Sequence, residues 1–403
     1  MSGGVPRRPA EPRRPAEPRP PWRTSAPGAR DSRTLLVDAL RRADALTQVE
    51  LAAATALSPG TVSGAVAAMA ADGLVRVHLT TRSGRRARSV QLATPALAGV
   101  HCYLDEVRVV LDLGDGGRVE EAVPLPGGHR AEHAVRTARA LLDRMLASTG
   151  TDPAAVAAVG VGVPAPVEVR TGRVAGSGVR DGWGGMVGAP ALFAPSPGVP
   201  VVFDNDGNLG ALAEARLGAG RGCATVVHVA VSEGVSGGIV VGGDVVHGRT
   251  GTAGELGHLT IDPDGPVCSC GNRGCLQVYA GSAGVLDLLR ASHGPVTVAD
   301  VLDLALAGDP GCRRVLSDAG RHLGTAMASV CTVLDPDVLV VGGALAAAGD
   351  LLLDPLREVL AERTAVTSGA VVDVVGGALG AAAPARGALL LARDAVLTGA
   401  PAA

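Results

Sequence analysis

The chain has 403 residues, enough for two or three domains with cores of their own. Aromatic residues are only 1% of it, so those cores must be built from Val, Leu and Ala, and every one of the 36 basic residues is Arg. No apolar run of spanning length is free of Pro, Gly or charge, the N-terminus has no apolar signal region, and the seven cysteines form no even set; the expectation is a cytoplasmic chain with reduced thiols and no membrane contact.

The net charge of -3 is unevenly spread: residues 1–32 carry +4, residues 33–93 carry +4, and the remainder carries -11. A basic front on an acidic body is the footprint of a nucleic-acid-binding module joined to something else. Residues 1–32 repeat an Arg-Arg-Pro-Ala-Glu-Pro theme at 7–12 and 13–18. The proline density forbids a helix and leaves little to bury, which predicts a disordered, solvated arm. A basic arm touching DNA phosphates is the functional alternative.

Residues 33–93 read as a winged helix-turn-helix. A first helix is predicted over 34–43, with Leu35, Leu36, Ala39 and Leu40 on one face, and a second over 48–55, with Val49, Leu51, Ala52 and Ala53 as its apolar positions. Ser58 can cap a third helix with Pro59 in its first turn; Val62, Val66 and Met69 face inward, and Asp72-Gly73 stops it near residue 71. Helix, turn, helix is the arrangement that puts the last helix into the major groove. Strands over 74–79 and 89–92, joined by a turn holding Arg82, Arg85, Arg86 and Arg88, make the wing. The recognition helix offers Ser58, Gly60, Thr61 and Ser63 outward, none long enough for bidentate base contacts. The wing arginines are therefore expected to contribute more to DNA affinity, through phosphates or a narrow minor groove.

From residue 94 to 403 the pattern alternates strand and helix. Strands are predicted at 107–113, 156–163, 201–203, 225–231, 238–241 and 338–341, helices at 134–146 and 209–217, and a hairpin turn at Asp115-Gly116-Gly117. Repeated strand–glycine turn–helix units indicate an α/β body whose ligands sit at the C-terminal ends of strands. One segment carries metal chemistry. His258 is followed by Cys268, Cys270 and Cys275 in a tight glycine-containing turn, a Cys3His set that suits a closed, tetrahedral structural zinc. An unmetalled thiol cluster is the alternative; a Cys268–Cys270 disulfide is disfavoured by their closeness in sequence.

Asp204-Asn205-Asp206-Gly207-Asn208, Ala213-Glu214, Gly218-Ala219-Gly220, Glu255-Leu256-Gly257-His258 and the cysteine cluster together resemble the ROK family of repressors, open reading frames and kinases. The resemblance extends over residues 33–403. It implies an N-terminal winged helix-turn-helix (α+β) followed by a two-lobed α/β actin-like ATPase domain of hexokinase or ribonuclease H-like type. It further implies a structural zinc and a sugar pocket between the lobes. Carried over residue by residue, the sugar ligands are Asn205, Asp206, Glu255, His258 and the position of Gln277, where the family has Glu. A sugar needs donors and acceptors converging at fixed angles, and carboxylates accept strong bonds from its hydroxyls. The resemblance also implies that His258 both ligates zinc and lies beside the sugar.

Kinase members of the family carry glycine turns that admit ATP phosphates. The first should resemble Asp-Ile-Gly-Gly-Thr-Lys, but residues 101–106 read His-Cys-Tyr-Leu-Asp-Glu. The second should resemble Gly-Thr-Gly-Ile-Gly-Gly-Gly, but residues 232–238 read Ser-Glu-Gly-Val-Ser-Gly-Gly. Asp206, the family's catalytic base, survives as a vestigial candidate with no phosphate cradle to serve. The expectation is a non-enzymatic, sugar-responsive repressor of carbohydrate metabolism genes, acting as a homodimer or homotetramer on double-stranded operator DNA and released by a sugar or sugar phosphate. Two alternatives stand beside it: an active sugar kinase with an appended DNA-binding domain, and a regulator that has lost ligand control or answers to a protein partner.

Overall fold

The computed structural model describes residues 32–398 apart from 44, 83–84, 94, 115, 169–172, 175–181, 184–188 and 365–371, and only the backbone of 81, 82, 85 and 86. The arm expected over 1–32 lies outside the described residues except for Ser32, which already belongs to the first helix, α1 (Ser32–Arg41). Strand β1 (Leu46–Thr47) leads into α2 (Gln48–Thr55) through a capping box: Thr47 Oγ1 accepts from Glu50 N at 3.2 Å and Glu50 Oε2 accepts from Thr47 N at 2.7 Å. Helix α3 (Pro59–Ala71) follows after a 114° change of direction, as a helix-turn-helix requires. Ala56 makes the turn with φ of 56°.

The wing strands β2 (Val75–Arg82) and β3 (Arg85–Leu92) are longer than predicted, so Arg82, Arg85 and Arg86 are paired strand residues, with Arg82 opposite Arg85 and Thr81 opposite Arg86. No hydrophobic pattern points to β1, which completes a three-stranded sheet by pairing with β3. Leu36, Leu40, Leu51, Val62, Val66, Met69, Val75, Val90 and Leu92 form the core of this head. Val49 stays outside, 80% exposed.

The body repeats one plan twice. In the first lobe β4 (Ala96–Cys102), β5 (Glu106–Asp112) and β6 (Arg118–Pro124) form an antiparallel meander; α4 (Ala131–Thr149) follows, then β7 (Val156–Val163), a small hairpin of β8 (Val167–Glu168) and β9 (Arg173–Val174), and β10 (Val201–Asn205). The sheet order is β10-β7-β4-β5-β6, with β4, β7 and β10 parallel. After α5 (Asp206–Leu217) the second lobe sets β11 (Thr225–Val231), β12 (Val235–Val241) and β13 (Asp244–Val245) as the meander. Four helices follow: α6 (Leu276–Ala280), α7 (Ser282–His293), α8 (Val298–Leu306) and α9 (Pro310–Leu334). Then come β14 (Val338–Gly342), α10 (Asp350–Thr364) and β15 (Asp373–Gly376), giving the order β13-β12-β11-β14-β15. This is the actin-like, ribonuclease H-like duplication.

The last helix, α11 (Ala383–Thr398), returns to the first lobe and lies on β4 and β7, where Gly99 and Gly160 let it approach; a Cβ at either would collide with the carbonyl of Ala385 or Ala388. Leu97, Val110, Ala158, Ala385, Leu389 and Ala392 seal that contact. Among the described residues no single helix is long and apolar enough to cross a membrane.

Candidate functional site

Strand β10 and helix α5 meet at the C-terminal edge of the first sheet, where open α/β sheets hold ligands. Asn205 caps the helix: its Oδ1 accepts from Gly207 N at 2.9 Å and Asn208 N at 3.3 Å, which leaves Nδ2 as its donor toward a ligand. Asp206 Oδ1 accepts from Gly207 N at 2.7 Å, while its Oδ2 lies 3.9 Å from His101 Nε2 at the end of β4. Asp206 thus takes a local bond at the helix start, but the capping falls mainly to Asn205.

Behind them Asp204 is buried and fully engaged. It accepts from Asn205 N at 2.7 Å and Asn208 Nδ2 at 3.0 Å, and its Oδ2 is 2.7 Å from His247 Nε2. Burial works to lower the His247 pKa, but the hydrogen bond and charge of Asp204 prevail and leave it raised. Nothing in the sequence pattern marks His247. Glu214 is likewise structural: completely buried, it accepts from the backbone N–H groups of Ala219, Ala378 and Leu379 at 2.8, 3.1 and 2.9 Å, binding α5 to the chain entering α11.

The second lobe supplies the opposite wall. Burial raises the pKa of Glu255; the charge of His258 opposes the rise and that of Asp206 adds to it. His258 looks two ways, with Nε2 3.9 Å from Glu255 Oε2 and Nδ1 3.7 Å from Cys268 Sγ. Cys270 and Cys275 bring their sulfurs to 3.7 Å, and the four donor atoms of His258, Cys268, Cys270 and Cys275 all lie within 4.8 Å of one another. Bond lengths of about 2.3 Å to sulfur and 2.0 Å to nitrogen place tetrahedral zinc ligands at such separations, so the donor set fits the ion. All seven cysteines are free thiols. Gln277 directs its Nε2 onto Cys268 Sγ at 3.2 Å and Ser269 Oγ at 3.1 Å.

The two turns that should cradle phosphate also meet here. His101 is 5% exposed, and neither ring nitrogen has a hydrogen-bond partner among the described residues. Its ring stacks on Tyr103 at 5.5 Å. Tyr103 reaches from the β4–β5 turn toward Ser232 on the β11–β12 turn; burial raises its pKa, and Asp206, Glu233 and Asp105 raise it further, while a hydrogen bond with Ser232 opposes. The only sequence signal for this contact is that Tyr103 stands where the family pattern has glycine.

On the head, Ser58, Gly60, Thr61 and Ser63 are exposed, as is Arg88. Ser58 accepts from Thr61 N at 3.1 Å and its Oγ lies 2.8 Å from Thr61 Oγ1, so both hydroxyls are partly used in the cap. Around them Gly64, Ala67, Ala68 and Ala70 are exposed too, leaving the outer face of α3 without a long side chain.

The sequence pattern of the ROK family matches residues 123–395. The chain belongs to the ROK family. A MarR family pattern matches residues 31–87, the winged head. Among ROK relatives, a glucokinase of Halalkalibacterium halodurans is 34% identical over 233 residues, covering 54% of this chain and 70% of that one. A xylose repressor of Bacillus spizizenii is 31% identical over 189 residues, covering 47% of this chain and 49%, about half, of that one. A solved ROK family transcriptional regulator, homologous to the E. coli MLC protein, matches with a TM-score of 0.67 at 21% identity over 90% of this chain and 96% of its own, which shows that its fold is shared.

Proposed function

We propose that this ROK protein is a sugar-responsive transcriptional repressor whose kinase-like body binds a sugar without phosphorylating it. One observation carries the reading: α5 begins with Asp206 in the cleft and carries Arg216 in its last turn, which is ion-paired at 2.8 Å to Asp394, and Asp394 also pairs with Arg41 of the DNA head at 3.5 Å. Sugar site and DNA head are thereby joined by a single helix and one shared carboxylate.

Asn205 and Asp206 would hold sugar hydroxyls from one lobe, and Glu255 and His258 from the other. A ligand touching both lobes favours their closed arrangement and can shift DNA affinity only by its differential affinity for the two states, typically about 1–3 kcal/mol. Zinc, held by His258, Cys268, Cys270 and Cys275, would fix the ring that faces Glu255. A homodimer or homotetramer places two heads on a palindromic operator, with half-sites about 34 Å or a multiple apart. Arg88 and its wing neighbours supply phosphate contacts, and the small-residue face of α3 lets that helix lie close to the groove.

The glucokinase relative keeps a second reading in view. Against it stand the Tyr103 side chain in the first turn and Glu233 in the second. A carboxylate at about 4 Å from a phosphate costs about 4 kcal/mol at an effective dielectric of 20. Phosphoryl transfer depends on positioning and charge neutralisation, and these residues work against both.

The test is fluorescence anisotropy of the purified chain on the DNA upstream of its own gene, at one fixed salt concentration, against a panel of pentoses and hexoses, with ADP release from ATP measured in parallel. Tight binding relieved by one sugar without ADP release is expected. Sugar-dependent ADP release would establish the kinase, and DNA binding indifferent to every sugar would overturn the sugar response.

A further inference from the structure

A second group of metal-binding side chains sits where α7 ends and α9 begins. His293 is the last residue of α7, Asp309 is the N-cap of α9, and Cys312 stands in its first turn. Their donor atoms converge: His293 Nε2 is 3.2 Å from Asp309 Oδ1 and 3.9 Å from Cys312 Sγ, and all three lie within 4.8 Å of one another. No local sequence pattern joins them, since the whole of α8 lies between His293 and Asp309. Gly311 makes the close approach possible, because a Cβ there would come 3.0 Å from His293 Cε1.

The hydrogen bonds around the imidazole fix its tautomer. Ser292 Oγ donates its one proton to Leu289 O at 3.2 Å, so its 2.8 Å contact with His293 Nδ1 requires Nδ1–H to be the donor. The neutral ring then carries its lone pair on Nε2, which faces a carboxylate oxygen. Asp309 Oδ1 is itself held in place by accepting from Cys312 N at 2.8 Å. Two acceptors 3.2 Å apart repel one another unless a cation lies between them. That cation is either a proton, giving an imidazolium–carboxylate pair, or a metal ion.

Cys312 separates the two. A proton needs only His293 and Asp309 and leaves the sulfur a bystander. The sulfur belongs instead to a completely buried residue and is turned to the same point, completing a nitrogen, oxygen and sulfur set. Zinc bonds of about 2.0 Å to nitrogen and oxygen and 2.3 Å to sulfur put tetrahedral ligands about 3.3–3.6 Å apart, close to the separations here. The His293 and Asp309 side chains keep 19% and 28% exposure, so water can take the fourth position from the solvent side. The helix ends balance as well: the C-terminal end of α7 favours a cation, and the N-terminal end of α9 favours the anionic ligands. Ser292 is the outer partner that orients a ligating histidine.

We propose that His293, Asp309 and Cys312 form a second metal site, which takes zinc or a similar borderline divalent cation and clamps the end of α7 to the start of α9. It shares no residue with the Cys3His set and does not depend on the sugar reading. Cys312 binds as the thiolate, and its proton passes to solvent. Three protein ligands and one open position make this site exchangeable where the four-ligand site is closed, so it fills from added metal.

The test counts metal. Purified full chain is brought to equilibrium with micromolar zinc chloride, and bound zinc is measured by elemental analysis. Wild type is expected to hold one zinc more than His293→Gln and one more than Cys312→Ala. The same difference is expected in a Cys268→Ser background, which disables the other site. Cobalt(II) in place of zinc should give a thiolate-to-cobalt charge-transfer band that is weaker in Cys312→Ala. His293→Gln leaves a hydrogen-bonding side chain beside Asp309, so that variant should fold. Added zinc should raise the melting temperature of wild type and leave that of His293→Gln unmoved. Equal zinc counts in wild type and His293→Gln overturn the proposal and leave an imidazolium–carboxylate pair at the helix junction. A zinc that is lost in His293→Gln but held at wild-type affinity in Cys312→Ala overturns the three-ligand set.

Discussion

Arg216 and Asp394 form a 2.8 Å ion pair at the far end of the helix that begins with Asp206, and Asp394 turns its other oxygen toward Arg41 of the DNA head. The Arg216 side chain is 3% exposed, and it also donates to Gly243 O at 2.9 and 3.2 Å, so the guanidinium is held on three sides. Arg393 donates to Arg41 O at 3.2 Å, and Leu397 packs against the core of the head. Among the described residues, the stretch of α11 that receives α5 thus also contacts the head, and Gly243 beside it lies against Arg42.

Asp394→Asn keeps the shape of the contact and removes its charge. Sugar binding and DNA binding measured separately should each change little, while the sugar-induced loss of DNA affinity should shrink toward nothing. With a coupling of about 1–3 kcal/mol, that is the disappearance of a 5- to 150-fold effect. Anisotropy titrations with and without saturating sugar read it directly. A full response in the variant would show that coupling runs elsewhere.

His247 gives the fold a pH dependence of definite sign. Its pKa is raised above 6.5 by Asp204, so the pair stabilises the folded state fully below the unfolded value and the contribution is lost as pH rises through the folded value. Melting temperatures of the wild type and His247→Gln should differ most on the acid side and converge as the medium becomes alkaline. A difference that is constant with pH would show that the ring acts by packing alone.

Ala56 ends α2 in the left-handed region with φ of 56°, a conformation that costs a residue with a Cβ roughly 1 kcal/mol. Ala56→Gly should therefore stabilise the head, by about 0.5–1 kcal/mol once the greater freedom of glycine in the unfolded chain is counted. Denaturant midpoints measure it. A destabilised variant would mean that the Ala56 methyl packs in a way its exposure does not suggest.

Removal of metal should reach the cleft through His258. Purified chain should carry one zinc, and chelation or Cys268→Ser should weaken the sugar, because the ring facing Glu255 loses its anchor. Elemental analysis beside a sugar titration distinguishes the outcomes. Full sugar affinity in the metal-free chain would leave zinc only a role in holding the 258–275 loop together.

Much of this was legible where local chemistry decides the structure. The Ser58 cap, Pro59 and the inward trio of Val62, Val66 and Met69 set α3 as the sequence suggests. Continuous apolar runs likewise set β7 and β11 at their predicted bounds. Strand β4 carries no such signal: it is buried on both faces, so Ala96–Cys102 shows no alternation and includes a glycine and a histidine. The motif around Asp206 locates the cleft, but His247, and the Ala378 and Leu379 backbone groups held by Glu214, are distant in sequence and meet it only in the fold. The wing arginines are foreseeable in number; their pairing across β2 and β3 is a matter of register.

In the proposed mechanism a sugar held at Asp206 controls the DNA head, and this is tested by comparing wild type with Asp206→Asn on the upstream DNA at one salt concentration while the sugar is titrated. Equal DNA affinity without sugar, followed by release of the wild type alone, is the expected result. Release of both proteins at the same sugar concentration, or of neither, would contradict it.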